Sequence, residues 1–301
     1  MVICEVHEDL APRAHQFLCE CEEFGRSTDW APLFNHPWKT EEFPYGYAIV
    51  DGQQVHGFLG TVYSRRTIDG RSIISCNMSS WVVEESYRKG LGKAGKGLGR
   101  RLLEPALAQK NVVVTNFSPN ALSTKSCASM GFKRLDSEQV VIPVFPGFRG
   151  FPGFGSAREL EISFAPLEIS TRLTGKDRKI FDDHRNLPCK HFLIDSPKTG
   201  EQCYGIATTG PIRRLAMISG RVFNLCYVSN PEFFARHFWS FAGLLWKEDR
   251  IAVVRYDKRL ISQTVSRLAR RVAVARFFHA ADLGDLQVDS LYSELVLYNR
   301  Y

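Results

Sequence analysis

Between positions 88 and 101 the chain sets basic side chains among closely spaced glycines. The bases are Arg88, Lys89, Lys93, Lys96, Arg100 and Arg101; the glycines are Gly90, Gly92, Gly95, Gly97 and Gly99. Glycine lets a backbone approach a ligand closely, because no Cβ stands in the way. Free N–H groups at a helix N-terminus, reinforced by the helix dipole, attract an anion. Basic side chains supply countercharge. This combination suits a pyrophosphate better than duplex nucleic acid. No interleaved basic-aromatic strand motif and no zinc-finger spacing accompanies it, so nucleic acid is not the expected partner. One alternative is a nucleotide P-loop. Gly90 to Lys96 fits its GxxxxGK spacing. The next residue, however, is Gly97 where Ser or Thr should hold magnesium, and Tyr87-Arg88-Lys89 precedes the loop in place of a buried strand.

The residues around this loop have a recognisable order. Trp81-Val82-Val83-Glu84-Glu85-Ser86-Tyr87-Arg88 ends a strand in an acidic turn. Gly97-Leu98-Gly99-Arg100-Arg101-Leu102-Leu103 opens a leucine-rich helix. A β-branched strand follows, then Asn120-Ala121-Leu122-Ser123, Cys127 and Met130-Gly131-Phe132. In this order and spacing the first 145 residues resemble the GNAT (N-acetyltransferase) superfamily. The resemblance implies an acyl-CoA site in which loop amides grip the pyrophosphate of acetyl-CoA or another acyl-CoA. On this sequence it falls to Trp81, Val82, Val83, Arg88, Lys89, Gly95, Lys96, Gly97, Gly99 and Asn120. No metal is implied. The stretch Cys76 to Trp81 further resembles GNAT members found with sugar-modification genes, which would make the acceptor an amino sugar.

The implied reaction is direct attack of an amine on the thioester, which needs the amine deprotonated. Glu84 and Glu85 close the strand and are the candidate bases; His36 lies in a loop that can reach an acceptor, and Ser79, Ser80 and Ser118 offer hydroxyl contacts. Cys127 stands where the family often has a tyrosine that protonates the leaving thiolate. A thiol can donate that proton, but a small buried cysteine is the ordinary reading of such a position. The basic glycine loop is also several residues longer than the family pattern. Both departures keep open a non-catalytic, GNAT-like binding or scaffold protein.

These residues need a scaffold. Apolar periodicity predicts a helix over 9–24, strands over 45–50, 55–65 and 72–83 joined by Asp51-Gly52 and Asp69-Gly70 turns, a helix after Gly97, a strand over 111–117 and a helix over 121–130. A Pro/Gly/Phe-rich stretch, 146–158, then reads as a linker between a first domain, 1–145, and a second, 159–301. The second half repeats helix, strands, helix and strand without the basic loop. Its aromatic helix, Phe233 to Trp246, opens at Asn230-Pro231. Those aromatics either pack against the phenylalanine-rich linker or the first half, or fill the second half's own core. The expected fold is α+β: two GNAT-like mixed, largely antiparallel sheets flanked by helices, the second a degenerate copy.

Composition agrees with two folded domains. The chain has 301 residues, 44% hydrophobic and 24% charged, with a formal charge of +7. No apolar run reaches the ~18 residues of a membrane span. The first residues show no basic-then-apolar signal. The eight cysteines are scattered and form no CxxC pair, so the expectation is reduced thiols, no structural zinc and a cytoplasmic location.

Overall fold

A computed structural model describes residues 1–24, 28–68, 70–89, 97–135, 138–144, 160–212, 220–280 and 288–299. The chain forms two compact units, Met1–Asp136 with Ala275–Tyr298, and Ser137–Val274 with Asn299–Tyr301.

The first unit contains β1 (Val2–Val6), α1 (Ala11–Glu20), a short 3-10 turn (Glu22–Phe24), α2 (Ala31–Phe34), β2 (Gly46–Asp51), β3 (Gln54–Ile68) and β4 (Arg71–Val83). It continues with α3 (Glu85–Lys89), α4 (Leu98–Ala108), β5 (Val112–Asn116), α5 (Ala121–Ser129) and β6 (Lys133–Arg134). The second contains β7 (Glu138–Pro143), β8 (Glu161–Ser163), α6 (Pro166–Arg172), α7 (Gly175–His184), β9 (Lys190–Ser196), β10 (Glu201–Pro211), β11 (Arg221–Val228), α8 (Pro231–Asp249), β12 (Ile251–Asp257) and β13 (Arg270–Ala273). The chain then returns to the first unit with β14 (Phe277–His279) and α9 (Glu294–Leu297).

Among the described residues each unit holds one seven-stranded sheet. The orders are β1-β2-β3-β4-β5-β14-β6 and β13-β7-β12-β11-β10-β9-β8. Pairing is antiparallel except for β4 with β5 and β11 with β12. Each parallel pair is bridged by one long helix, α4 or α8, as parallel strands require. Both sheets are therefore mixed, mostly antiparallel and helix-flanked, consistent with a tandem arrangement.

The units differ from the expected domains in one respect. Strand β7, expected to close the first domain, lies inside the second sheet between β12 and β13; its Val140 and Ile142 are buried in the second unit's core. Strand β14, from the far end of the sequence, lies inside the first sheet between β5 and β6. Each sheet thus takes an inner strand from beyond the 145–159 stretch, which itself lies outside the described residues together with the 146–158 linker. Strand choice here follows burial: Phe277 and Phe278 are apolar enough to sit between two strands.

In the first unit α4 lays Leu98, Leu102, Leu103 and Ala106 onto Tyr47, Leu59, Cys76, Met78, Val83 and Val114. Pro105 sits inside this helix without ending it. In the second, Phe233, Phe234, Phe238 and Phe241 of α8 pack on Phe192, Phe223 and Ile194. Each buried phenylalanine contributes roughly 1.5–3 kcal/mol. The aromatic helix therefore fills its own unit's core, the second of the two expected outcomes. Several boundaries move slightly. The first helix, expected over 9–24, runs from Ala11 to Glu20. At the first hairpin Asp51 pairs with Gln54, so the turn is centred on Gly52, with φ 59, and Gln53, one residue beyond the expected Asp51-Gly52. Strand β11 is described as Arg221–Val228, and residues 213–219 before it lie outside the described residues.

Candidate acyl-CoA site

The parallel strands β4 and β5 are in register only over four rungs, from Ile74 with Val112 to Asn77 with Thr115. Strand β4 continues to Val83 along β3, so from Met78 onward its other edge has no partner on β5. That edge presents main-chain N–H and C=O groups that no strand among the described residues takes up. A β-bulge lies within it. Leu59 opposes Trp81 and Thr61 opposes Met78, which leaves Gly60 alone against Ser79 and Ser80. The extra residue changes the side-chain parity: Cys76 and Met78 face α4, and so do Trp81 and Val83. Gly60 makes room for this bulge, since a Cβ there would stand 2.8 Å from Ser80 Oγ. The Ser80 hydroxyl is buried without a hydrogen-bond partner.

The free edge runs to the N-terminus of α4. Trp81 Nε1 donates to the Gly99 carbonyl at 2.9 Å, tying strand end to helix start. Gly97 precedes the helix with φ 78, a left-handed conformation that glycine adopts without strain, and among the described residues no side chain caps the first turn. Its N–H groups are thus left for an anion. Arg100 and Arg101 are exposed in the first turn.

At the other end, where β4 and β5 separate, lies a buried polar cluster. Asn77 is fully buried; its Nδ2 donates to Thr115 Oγ1 at 3.1 Å, and its Oδ1 accepts from the Glu294 main-chain N–H at 2.9 Å. Glu294, the first residue of α9, is 4% exposed, and its Oε1 accepts from Ser118 Oγ at 2.9 Å. Ser118 follows β5 and is exposed.

The expected site residues distribute unevenly over this frame. Trp81, Val82 and Val83 lie on the free edge, and Gly97 and Gly99 at the helix start. Gly95 and Lys96 lie outside the described residues, and of Lys89 only the backbone in α3 is described. Glu84 stands past the end of β4, where its Oε2 meets His56 Nδ1 at 2.9 Å; Glu85 begins α3. Arg88 is paired with Glu23 at 2.6 Å. Glu84, Glu85 and Arg88 line a cleft of about 310 Å³ with Phe17, Val82 and the carboxylates Glu20, Glu22 and Glu23. Asn120 caps α5, its Oδ1 accepting from Ser123 N–H at 2.8 Å. Cys127 is wholly buried in the α4 core; burial raises its thiol pKa, with Asn116 Nδ2 directed at the sulfur. His36 is also buried, and desolvation followed by the nearby Lys39 charge lowers its pKa to about 4, leaving a neutral ring.

Asn77 and Glu294 were not among the expected site residues. Asn77 lay inside the quoted stretch Cys76 to Trp81, with nothing to single it out. Glu294 is separated from it by more than two hundred positions, and no local pattern points to their meeting. Among the described residues no group of His, Cys, Asp and Glu side chains could hold a metal ion, and no helix is long and apolar enough to cross a membrane.

No protein-family model matches the sequence, and no curated protein matches it. Solved structures do. The GCN5-related N-acetyltransferase of Anabaena variabilis aligns over 92% of this chain and 72% of its own, with a TM-score of 0.58 and 13% identity. A conserved protein of Enterococcus faecalis, described as a probable N-acyltransferase, aligns over 92% and 72% with a TM-score of 0.56 and 12% identity. The glucosamine N-acetyltransferase region of a fungal multi-domain β-N-acetylglucosaminidase aligns over 93% of this chain and 38% of that one, with a TM-score of 0.55 and 13% identity.

Proposed function

This chain has the GNAT fold, and from that premise we propose that its first unit binds an acyl-CoA and transfers the acyl group to an amine. The observation that carries the reading is the free edge of β4 running into the uncapped start of α4. An extended thioester arm with amide groups can complete the sheet along that edge, as an added strand does. Its pyrophosphate then meets the helix N–H groups at Gly97 to Gly99, with Arg100, Arg101 and, from the loop, Lys89, Gly95 and Lys96 in support. From Val83 back to Asn77 the strand spans about 20 Å, comparable to an extended pantetheine arm. The thioester therefore lies where β4 and β5 part, beside the bulge. Proline-started α8 offers no such site, so binding belongs to the first unit.

The acyl group is taken as acetyl, and an amino sugar is the first acceptor to try, in line with the resemblance of the Cys76 to Trp81 stretch. A second reading, CoA binding without catalysis, is favoured by the burial of Cys127, which removes it as a proton donor to the thiolate. One experiment separates the two. Acetyl-CoA should raise the melting temperature of the full chain, as a native-state ligand must. Glucosamine and other primary amines should then release free thiol. Stabilisation without thiol release selects the second reading, and no stabilisation removes both.

A further inference from the structure

We propose that Ser118 and Glu294 form the proton acceptor for the attacking amine, an inference that rests on acyl transfer at the β4–β5 split. The base has to act where the thioester carbonyl lies. Glu84 stands at the opposite end of the free edge, about 20 Å of strand away, and is engaged by His56. At the split itself the described carboxylate is Glu294. It is fixed there twice, by its main-chain N–H on Asn77 Oδ1 at 2.9 Å and by Ser118 Oγ on its Oε1 at 2.9 Å. Asn77 also holds Thr115 at the last rung shared by β4 and β5, so the carboxylate is referenced to the point of divergence. Its burial keeps it from bulk water, while Ser118, exposed, can touch an incoming ammonium.

The proton path follows from this arrangement. The ammonium gives one proton to Ser118 Oγ as the hydroxyl passes its own to Glu294 Oε1. The freed nitrogen pair forms the C–N bond at the thioester carbonyl. The C–S bond then breaks with its electrons on sulfur. The nitrogen's surplus proton goes to that thiolate, and Glu294 later releases its proton to solvent. Ser118 is the residue that touches substrate; Glu294 acts through it, orienting the hydroxyl and receiving its proton.

The test compares wild type, Glu294→Gln and Ser118→Ala in the full chain, with acetyl-CoA and two probe amines. n-Butylamine is protonated at neutral pH, and 2,2,2-trifluoroethylamine is not. Glutamine keeps an oxygen for Ser118 and leaves the main-chain bond to Asn77 intact, so only basicity is lost. With butylamine, thiol release should fall at least 100-fold in Glu294→Gln, in the range of general-base losses, and by a smaller factor, about tenfold, in Ser118→Ala. With trifluoroethylamine both variants should approach the wild-type rate, a rescue that a merely structural role would not give. Acetyl-CoA affinity should stay the same throughout. Equal butylamine rates in wild type and variants, or defects of the same size with both amines, overturn the proposal. Should Glu294→Gln fail to fold, exposed Ser118→Ala decides by the same two rates. Failure of wild type to bind acetyl-CoA instead overturns the acyltransferase reading beneath it.

Discussion

The two parallel strand pairs of this chain are built alike and end differently. In the first unit β4 and β5 part after Asn77 and Thr115, and β4 runs on to Val83. In the second β11 and β12 stay paired to Leu225 and Tyr256, and β11 ends at Val228. Both carry a bulge beyond the last shared rung. In β11 the extra residue is Cys226, between Leu225 opposite Ala207 and Tyr227 opposite Ile206. What distinguishes them is the length of free edge and the helix that follows. The first unit leaves about 20 Å of edge and an uncapped, glycine-led helix; the second leaves about half that. There Asn230 Oδ1 already takes the Phe233 N–H at 3.0 Å, and Pro231 has no amide hydrogen to give. The second unit thus keeps the sheet and the bulge but has a shorter free edge and a capped helix start.

The largest expected effect comes from cutting the chain within 145–159. Residues 1–145 alone lack β14, and residues 159–301 alone lack β7, each an inner strand of the other piece's sheet. Neither fragment should show cooperative thermal unfolding by circular dichroism. A sharp transition in either would make the strand exchange dispensable.

Acid should weaken both units. His36 in the first and His191 in the second are buried neutral, each lowered to about 4 mainly by desolvation. An unfolded histidine takes up its proton near pH 6.5, so between these values the unfolded chain binds more protons than the folded one. Stability is therefore full above about pH 6.5 and falls as pH drops toward 4, by about 3 kcal/mol for each histidine. Urea midpoints across this range should show the decline, and His191→Gln should flatten part of it. A midpoint that does not move with pH would show both rings to titrate in the folded chain as they do in the unfolded one.

Smaller effects bear on the helix starts. Gly97→Asp places a carboxylate at the proposed pyrophosphate position and should weaken CoA at least tenfold, about 1.4 kcal/mol, with the fold retained. Calorimetric titration giving wild-type affinity would move the anion site back into the basic loop. Asn230→Ala removes the α8 cap and should cost about 1 kcal/mol of stability, leaving CoA affinity unchanged. A loss of affinity there would tie the second unit to the site.

What the sequence determined by itself was local. Asn230 caps its helix through its side-chain oxygen, Gly131 takes φ 81 after α5, and the meander strands fall within a few residues of their expected limits. Each of these is set by residues within one turn or one hairpin. The Trp81 to Leu103 stretch was legible for the same reason, because a strand end, glycines and a helix start are contiguous. Tertiary structure alone decided which strands sit inside which sheet, since β7 and β14 choose partners by the apolar faces they bury, and a short apolar run looks the same beside any of them. It also decided which carboxylate stands at the split. Glu84 adjoins the motif in sequence yet lies at the far end of β4. Glu294 reaches Asn77 because the chain's return to the first sheet carries it there, and no side chain near Glu294 in sequence encodes that meeting.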